Sequence, residues 1–232
     1  MELYCKIAGL TVLLDSFGRT VEQAQPYLCD PAEPEIVIRS KPVTNPRYAH
    51  LSESDREYLM TGSSFYRQLL QFDGMMLHAS AVVVDGKAYL FSAHSGTGKS
   101  THTKLWLQEF GDRAYILNDD KPALRLHDGV WYAYGTPWSG KHDISVNIGV
   151  PVAGIAMLER SEGNAIEPFY GTEAILSILA QVNRPKDSAF RAHLLELLDK
   201  LIGGVPVWRL QCNMEPEAVK VSYGAMVKGT NL

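Results

Sequence analysis

A glycine-rich segment in the middle of the chain carries the residue types that bind phosphate. Residues 93–100 read Ala-His-Ser-Gly-Thr-Gly-Lys-Ser and fit the pattern G-x-x-x-x-G-K-[ST], except that Ala93 stands in the first glycine position. In this pattern successive backbone N–H groups surround a phosphate at a helix N-terminus, where the helix dipole also favours negative charge. Lys99 would reach the β- and γ-phosphates of a nucleotide, and the Ser100 hydroxyl would bind magnesium. The predicted nucleotide-binding residues are Ser95, Gly96, Thr97, Gly98, Lys99, Ser100 and Thr101.

The elements on either side of this segment are those that the phosphate-binding pattern requires. Residues 88–92 read as a short apolar strand, and residues 100–110 read as a helix with Leu105, Leu107 and Phe110 among polar positions. A glycine-rich turn that binds nothing is the alternative interpretation. The lysine and the hydroxyls at matching positions argue against it.

Two adjacent carboxylates follow the next predicted strand. The apolar run 114–117 ends at Asn118, Asp119 and Asp120. The carboxyl end of such a strand lies on the side of the sheet where the glycine-rich loop also lies. One carboxylate can therefore hold magnesium, while the other accepts a proton from an attacking hydroxyl. A solvated pair of aspartates in a turn before Pro122 is the alternative.

A histidine is predicted close to the same loop. His78 falls in the predicted strand 77–84, which pairs through an Asp85–Gly86 turn with the strand that enters the loop. Counting along the two arms of this hairpin puts His78 toward the phosphate end. The alternative is a core histidine whose hydrogen bonds are satisfied within the protein.

These motifs together resemble the catalytic core of HPr kinase/phosphorylase. The resemblance rests on residues 76–80 (Met-Leu-His-Ala-Ser), the loop 95–100 and the acidic run 118–120, and it covers roughly residues 75–142. That family phosphorylates a serine of a carrier protein and shares its P-loop fold with phosphoenolpyruvate carboxykinase. The resemblance implies an α/β fold with a mixed-sheet P-loop core, and ATP and Mg²⁺ as cofactors.

The resemblance also implies roles for individual residues. Lys99 and the loop amides would bind the β-phosphate region, and Ser100 and one aspartate would serve magnesium. The other aspartate would be the general base, with His78 adjusting its proton affinity. Asp120 is the preferred base and Asp119 the preferred metal ligand, but the sequence does not separate the two.

A second loop, residues 135–142, reads Gly-Thr-Pro-Trp-Ser-Gly-Lys-His and suits contact with phosphate or with the acceptor. Ser139 and Lys141 are its candidate site residues, and Lys141 would stabilise charge on the transferring phosphoryl group. An ordinary surface loop held in place by Trp138 is the alternative.

Composition indicates the setting of the protein. Of 232 residues, 46% are hydrophobic and 21% are charged, and the net charge of -4 argues against a nucleic-acid partner. Three widely spaced cysteines indicate reduced thiols. The N-terminal residues do not resemble a signal peptide, and no apolar run approaches the roughly 18 residues that span a bilayer. We therefore expect a cytoplasmic protein that does not contact a membrane.

The pattern along the chain predicts two regions. Residues 1–73 would form a strand-rich extension with a helical stretch at 52–71, broken into two helices at residues 62–64, and would pack on a kinase core at 74–232. Hairpins on both sides of the glycine-rich loop predict a mixed sheet, with helices at 171–182, 187–202 and from Pro216 to residue 227. A homo-oligomer is compatible with both the resemblance and the sheet edge that the N-terminal strands would leave.

The predicted function is an ATP- and Mg²⁺-dependent kinase that transfers the γ-phosphoryl group to a hydroxyl. The acceptor would be a serine of a peptide or protein, or a small alcohol. A nucleotide-binding regulatory module with little turnover is the main alternative, while decarboxylase chemistry of the phosphoenolpyruvate carboxykinase type needs a much longer chain. GTP or pyrophosphate as the donor remains open.

Overall fold

The computed structural model describes residues 1–229, and within them it contains two sheets, six α-helices and four short 3-10 helices. The strands are β1 (Glu2–Ile7), β2 (Leu10–Asp15), β3 (Ile36–Arg39), β4 (Gly74–Met76), β5 (Ala79–Val84), β6 (Lys87–Ser92), β7 (Ala114–Asn118), β8 (Ala123–His127), β9 (Val130–Tyr134), β10 (Gly149–Arg160), β11 (Ala165–Pro168) and β12 (Val207–Cys212). The helices are α1 (Gly18–Ala24), α2 (Glu53–Leu69), α3 (Lys99–Phe110), α4 (Gly171–Leu179), α5 (Ser188–Gly204) and α6 (Glu217–Gly229).

The larger sheet is mixed. Its main path runs β4-β8-β9-β10-β6-β5-β7, and β12 joins it beside β10 with β11 on its outer side. The long strand β10 pairs antiparallel with β9 and parallel with β6 and β12. The predicted mixed α/β fold with flanking helices is therefore confirmed.

Strand β5, which lies between β6 and the edge strand β7, is buried on both faces, and this explains its continuous apolar pattern. Ala79, Ala81 and Val83 belong to a core that also contains residues of α4 and α5. Val82 and Val84 belong to a second core that contains residues of α3 and α6. Two helical layers thus enclose the sheet at the point where the glycine-rich loop leaves it.

The N-terminal region forms a three-stranded sheet, β1-β2-β3, that shares a third core with α2. Helix α2 is continuous from Glu53 to Leu69, so the predicted break at residues 62–64 is wrong. Gly62 lies where an added Cβ would be 2.8 Å from Trp138 Cδ1, so its missing side chain permits close packing instead of ending the helix. The boundary at residues 73 and 74 stays a prediction, and residues 230–232 of the predicted core lie outside the described residues.

Most remaining elements agree with the sequence pattern. The strand predicted at 77–84 begins two residues later, however, because β5 runs from Ala79 to Val84 and His78 precedes it. His78 donates its backbone N–H to the Gln181 carbonyl, 2.8 Å away, instead of to a neighbouring strand. Within residues 1–229, no helix combines the length and the apolar character needed to cross a membrane.

Candidate active site

Strand register brings the separate motifs together where β6 and β7 end in the large sheet. β5 is antiparallel to its neighbours β6 and β7, and Ala79 pairs with Ser92 while Ala81 pairs with Asn118. The beginning of β5 therefore lies beside the ends of both neighbouring strands. His78, the glycine-rich loop and the two aspartates consequently line one open cavity of about 460 Å³.

We call this cavity the phosphate cavity because the loop predicted to bind phosphate lines it, and four segments of the chain form its lining. Its lining residues are His78, Ser95, Gly96, Gly98, Lys99, Ser100, Thr101, Asp119, Asp120, Gly140, Lys141 and His142. Two predicted site residues are not among them. Thr97 lines a neighbouring cavity of about 370 Å³ that shares Gly96, Gly98 and Thr101 with the first. Ser139 is fully buried, and its backbone N–H donates to Tyr58 Oη at 2.8 Å.

The glycine-rich loop reverses direction at two glycines. Gly96 has φ 82° and Gly98 has φ 122°, a region that glycine enters without steric cost. Within the described loop, Ala93 has no positive φ, which explains why alanine is accommodated at the first glycine position. The Arg160 guanidinium donates to the backbone carbonyls of Gly96 and Thr97, with a 3.0 Å distance to the latter, and holds the loop against β10.

Lys99 is the first residue of α3, and the free N–H groups of this helix N-terminus belong to residues that line the phosphate cavity. The Lys99 ammonium donates to the Ala93 and His94 carbonyls at 3.1 and 3.5 Å. Burial lowers the pKa of Lys99, and the charges of Asp120 and Asp119 oppose this effect. A cation and a helix N-terminus at one place suit an anionic ligand.

Asp119 lies on the α3 side of the cavity and is only 6% exposed. Its Oδ1 accepts a hydrogen bond from the Ser80 hydroxyl at 2.7 Å, and that hydroxyl is 2.9 Å from Thr103 Oγ1. Because Ser80 donates its one hydroxyl proton to Asp119, Thr103 of α3 is the donor in the 2.9 Å hydrogen bond to Ser80. Asp119 is therefore tied to the helix that carries Ser100. Thr103 could have been anticipated, since it lies one helical turn after Lys99.

Unlike Asp119, Asp120 contacts two nitrogen groups, an imidazole and an ammonium. Its Oδ1 is 3.1 Å from His78 Nε2, and its Oδ2 is 2.8 Å from Lys121 Nζ. Burial by itself raises the pKa of Asp120, but the hydrogen bond from His78 and the Lys121 ammonium outweigh it and hold the pKa well below the ordinary carboxyl value. Asp120 is therefore ionised at neutral pH. The role of Lys121 was not anticipated from the sequence.

The Asn118 side chain stabilises the turn that contains the two aspartates. Its Oδ1 accepts the backbone N–H groups of Asp120 and Lys121 at 3.1 and 2.7 Å. Its Nδ2 donates to Thr136. This arrangement lets adjacent carboxylates contact different partners.

His78 is held by a residue from a distant part of the chain. Its Nδ1 is 3.0 Å from Gln181 Oε1, while its Nε2 faces Asp120. Its carbonyl accepts a hydrogen bond from Ser92 at 2.9 Å. Gln181 was missed because it falls in a stretch that reads as an ordinary helix, and no sequence spacing connects it with His78. The ring therefore has a fixed orientation toward the carboxylate.

The second loop, residues 135–142, packs one residue directly against Asp120. Gly140 has φ 81°, and a Cβ added there would lie 2.6 Å from Asp120 Cβ. Trp138 anchors the loop by stacking on Phe65 with ring centroids 5.0 Å apart. Lys141 lines the phosphate cavity beyond Gly140. The loop is thus both anchored in the core, as the alternative interpretation had it, and part of the cavity.

Two oxygen donors that line the phosphate cavity are of the type that binds Mg²⁺. Within residues 1–229, no three His, Cys, Asp or Glu side chains come together as a metal-binding group. Mg²⁺ is usually held by one or two carboxylates together with substrate phosphates. The buried Asp119 carboxylate and the Ser100 hydroxyl, beside the glycine-rich loop, are oxygen donors of the type that Mg²⁺ takes.

The fold and the cavity define a mixed α/β protein in which a glycine-rich strand–loop–helix unit faces two aspartates. The family model of the SynChlorMet cassette protein ScmC matches residues 52–217, and the chain belongs to the ScmC family. Among solved structures, the chain is similar to the Hpr(Ser) kinase/phosphatase from Coxiella burnetii, with 16% identity, 66% of this chain and 97% of that chain covered, and a TM-score of 0.39. Curated proteins gave no match.

Proposed function

We propose that the protein is an ATP- and Mg²⁺-dependent kinase that transfers the γ-phosphoryl group to a hydroxyl. The observation that carries this proposal is that one cavity combines the Lys99 helix N-terminus with two aspartates in different environments. Phosphoryl transfer depends mainly on positioning and on electrostatic stabilisation, and this set of groups supplies both. The motif resemblance to HPr kinase/phosphorylase agrees with this function.

In the proposed reaction, the acceptor oxygen forms a bond to the γ-phosphorus as the bond to the β–γ bridging oxygen breaks. Asp120 accepts the proton of the acceptor hydroxyl, and His78, held by Gln181, orients the carboxylate. Lys99 and the N–H groups at the start of α3 stabilise the negative charge on the phosphates. A magnesium ion, held by Asp119 and Ser100, would supply further neutralisation of that charge.

Removing the metal tests the proposal directly. We expect radiolabelled phosphate to move from ATP to serine peptides or small alcohols in the presence of Mg²⁺, to stop on addition of EDTA and to resume with excess Mg²⁺. The reason is that the phosphates carry more charge than Lys99 alone can offset. Calorimetry with ATP and Mg²⁺ is the parallel measurement. ATP binding with no turnover in the presence of any acceptor would instead identify a nucleotide-binding regulatory module.

The contact between Gly140 and Asp120 gives a second test. Gly140→Ala is expected to lower both the free energy of unfolding, by about 1–2 kcal/mol for the positive φ, and the transfer rate, because the new Cβ displaces Asp120. Gly129→Ala is the matched control, since Gly129 has φ 79° and an added Cβ there meets no atom within 4 Å. Denaturant unfolding and transfer assays measure the two effects. Equal transfer rates in both variants would show that the Gly140 contact does not position Asp120.

A further inference from the structure

A separate cavity of about 270 Å³ lies beside the candidate base and has a mainly apolar wall. We call it the aromatic cavity, and its walls include Tyr58, Leu59, Tyr66, Met76, Trp138 and Val182. Lys121 is the one charged residue in its lining. No step of the proposed transfer uses this cavity.

The aromatic side chains around this cavity have their polar atoms bound within the protein. Trp138 Nε1 donates to Thr61 at 3.2 Å, and Tyr58 Oη donates to the Pro137 carbonyl at 3.2 Å. Tyr66 Oη lies 2.8 Å from Thr136 Oγ1. The three side chains are only 1–3% exposed, and their rings border the cavity with no free phenol or indole donor among them.

The aromatic cavity adjoins the phosphate cavity through the ion pair of Lys121 and Asp120. Lys121 lines the aromatic cavity, while its ammonium is 2.8 Å from Oδ2 of Asp120, which lines the phosphate cavity. Val182 and Asn183 line the aromatic cavity immediately after Gln181, the residue that holds His78. An acceptor with its hydroxyl at Asp120 would lie one side chain, that of Lys121, away from this apolar space.

We propose that the aromatic cavity is an acceptor subsite, which binds an apolar or aromatic group located next to the hydroxyl that is phosphorylated. This inference rests on the proposed kinase function. Pockets for whole drug-sized ligands occupy roughly 300–1,000 Å³, so the aromatic cavity suits a single group of side-chain size. Two sources share this chemistry, namely a peptide with a bulky apolar residue beside its serine and a free alcohol that carries an aromatic ring.

Three probes and two variants test the subsite. The probes are the N-acetyl amides of seryl-phenylalanine and seryl-alanine, and 2-phenylethanol for the free alcohol. Ser63→Phe adds a ring at an exposed residue of the cavity lining, and Arg67→Phe adds the same ring at an exposed residue of α2 outside that lining. We expect the phenylalanine peptide to have a kcat/KM at least about tenfold above that of the alanine peptide. This preference should be lost in Ser63→Phe and kept in Arg67→Phe.

The outcomes separate the subsite from the function on which it rests. Phosphorylation of 2-phenylethanol in preference to the peptides assigns the subsite to a free alcohol. Equal kcat/KM for the two peptides, with no transfer to 2-phenylethanol, overturns the subsite and leaves the kinase function standing. If none of the three probes is phosphorylated while Mg²⁺-dependent ATP turnover persists, the subsite is likewise overturned and the kinase function is left standing. Absence of that turnover contradicts the kinase function and removes the acceptor role of the cavity with it.

Discussion

Asp120→Asn is expected to lower the rate of phosphoryl transfer by about 10²–10⁴-fold, the range for loss of a general base. The substitution keeps the size of the side chain but removes the negative charge that faces His78 Nε2 and Lys121 Nζ. Nucleotide binding should change little, because Lys99 and the glycine-rich loop remain. A transfer assay together with calorimetry of ATP binding measures the two effects separately.

Asp119→Asn is the matched comparison for this variant. Because Asp119 is tied through Ser80 and Thr103 to α3, we expect its loss to raise the Mg²⁺ concentration needed for half-maximal activity. Asp120→Asn should leave that concentration unchanged. The reverse pattern would exchange the proposed roles of the two aspartates, and full activity of both variants would contradict the mechanism.

Asp120→Asn should also change how stability depends on pH. The folded-state pKa of Asp120 lies below the unfolded value of about 3.9, so its ionised form stabilises the fold above that pH. This contribution is lost as the pH falls through the folded-state pKa. The difference in free energy of unfolding between wild type and variant should therefore be largest near neutral pH and shrink below about pH 4. A difference that does not vary with pH would contradict the ionised pairing of Asp120.

Lys99→Ala is expected to reduce phosphoryl transfer by about 10²–10³-fold, the range for loss of one preorganised group that stabilises transition-state charge. Its ammonium is buried against the loop carbonyls of Ala93 and His94 and shares the phosphate cavity with both aspartates. We also expect weaker ATP binding, because the lysine contacts phosphate in the bound nucleotide as well as in the transition state. Transfer rates and calorimetric affinity are the measurements.

Lys104→Ala is the control, since Lys104 is an exposed lysine of the same helix. Its removal changes the net charge equally but leaves the phosphate cavity intact, so transfer should stay at the wild-type rate. Equal losses in the two variants would indicate a general charge effect. Wild-type transfer by Lys99→Ala would show that the glycine-rich loop does not serve the reaction.

The fold could be predicted from the sequence wherever contiguous residues carry the signal. The alternation and turn residues around β5 and β6, the loop glycines and the apolar run of β7 are local features, and the structure has the corresponding elements. The break predicted in α2 is wrong. The low helix propensity of glycine and serine predicted it, but the packing of this part of the helix against Trp138 outweighs that propensity.

The candidate site was predicted only as a set of motifs. Residues whose types match known phosphate chemistry, such as Lys99 and Asp120, could be named in advance, and their roles stay predictions. Ser139 was named for its hydroxyl, yet the structure buries it while the neighbouring Gly140 contacts Asp120. Whether a loop residue points inward or outward depends on its anchor, here the stacking of Trp138 on Phe65.

The sequence by itself determined a glycine-rich strand–loop–helix unit followed by two carboxylates, since spacing along the chain encodes both. The tertiary structure alone decided which partner each carboxylate has. Ser80 reaches Asp119 across 39 positions, and Gln181 reaches His78 across 103. Such pairs form because strand register and helix packing bring distant segments together, and no local pattern of residues records that contact.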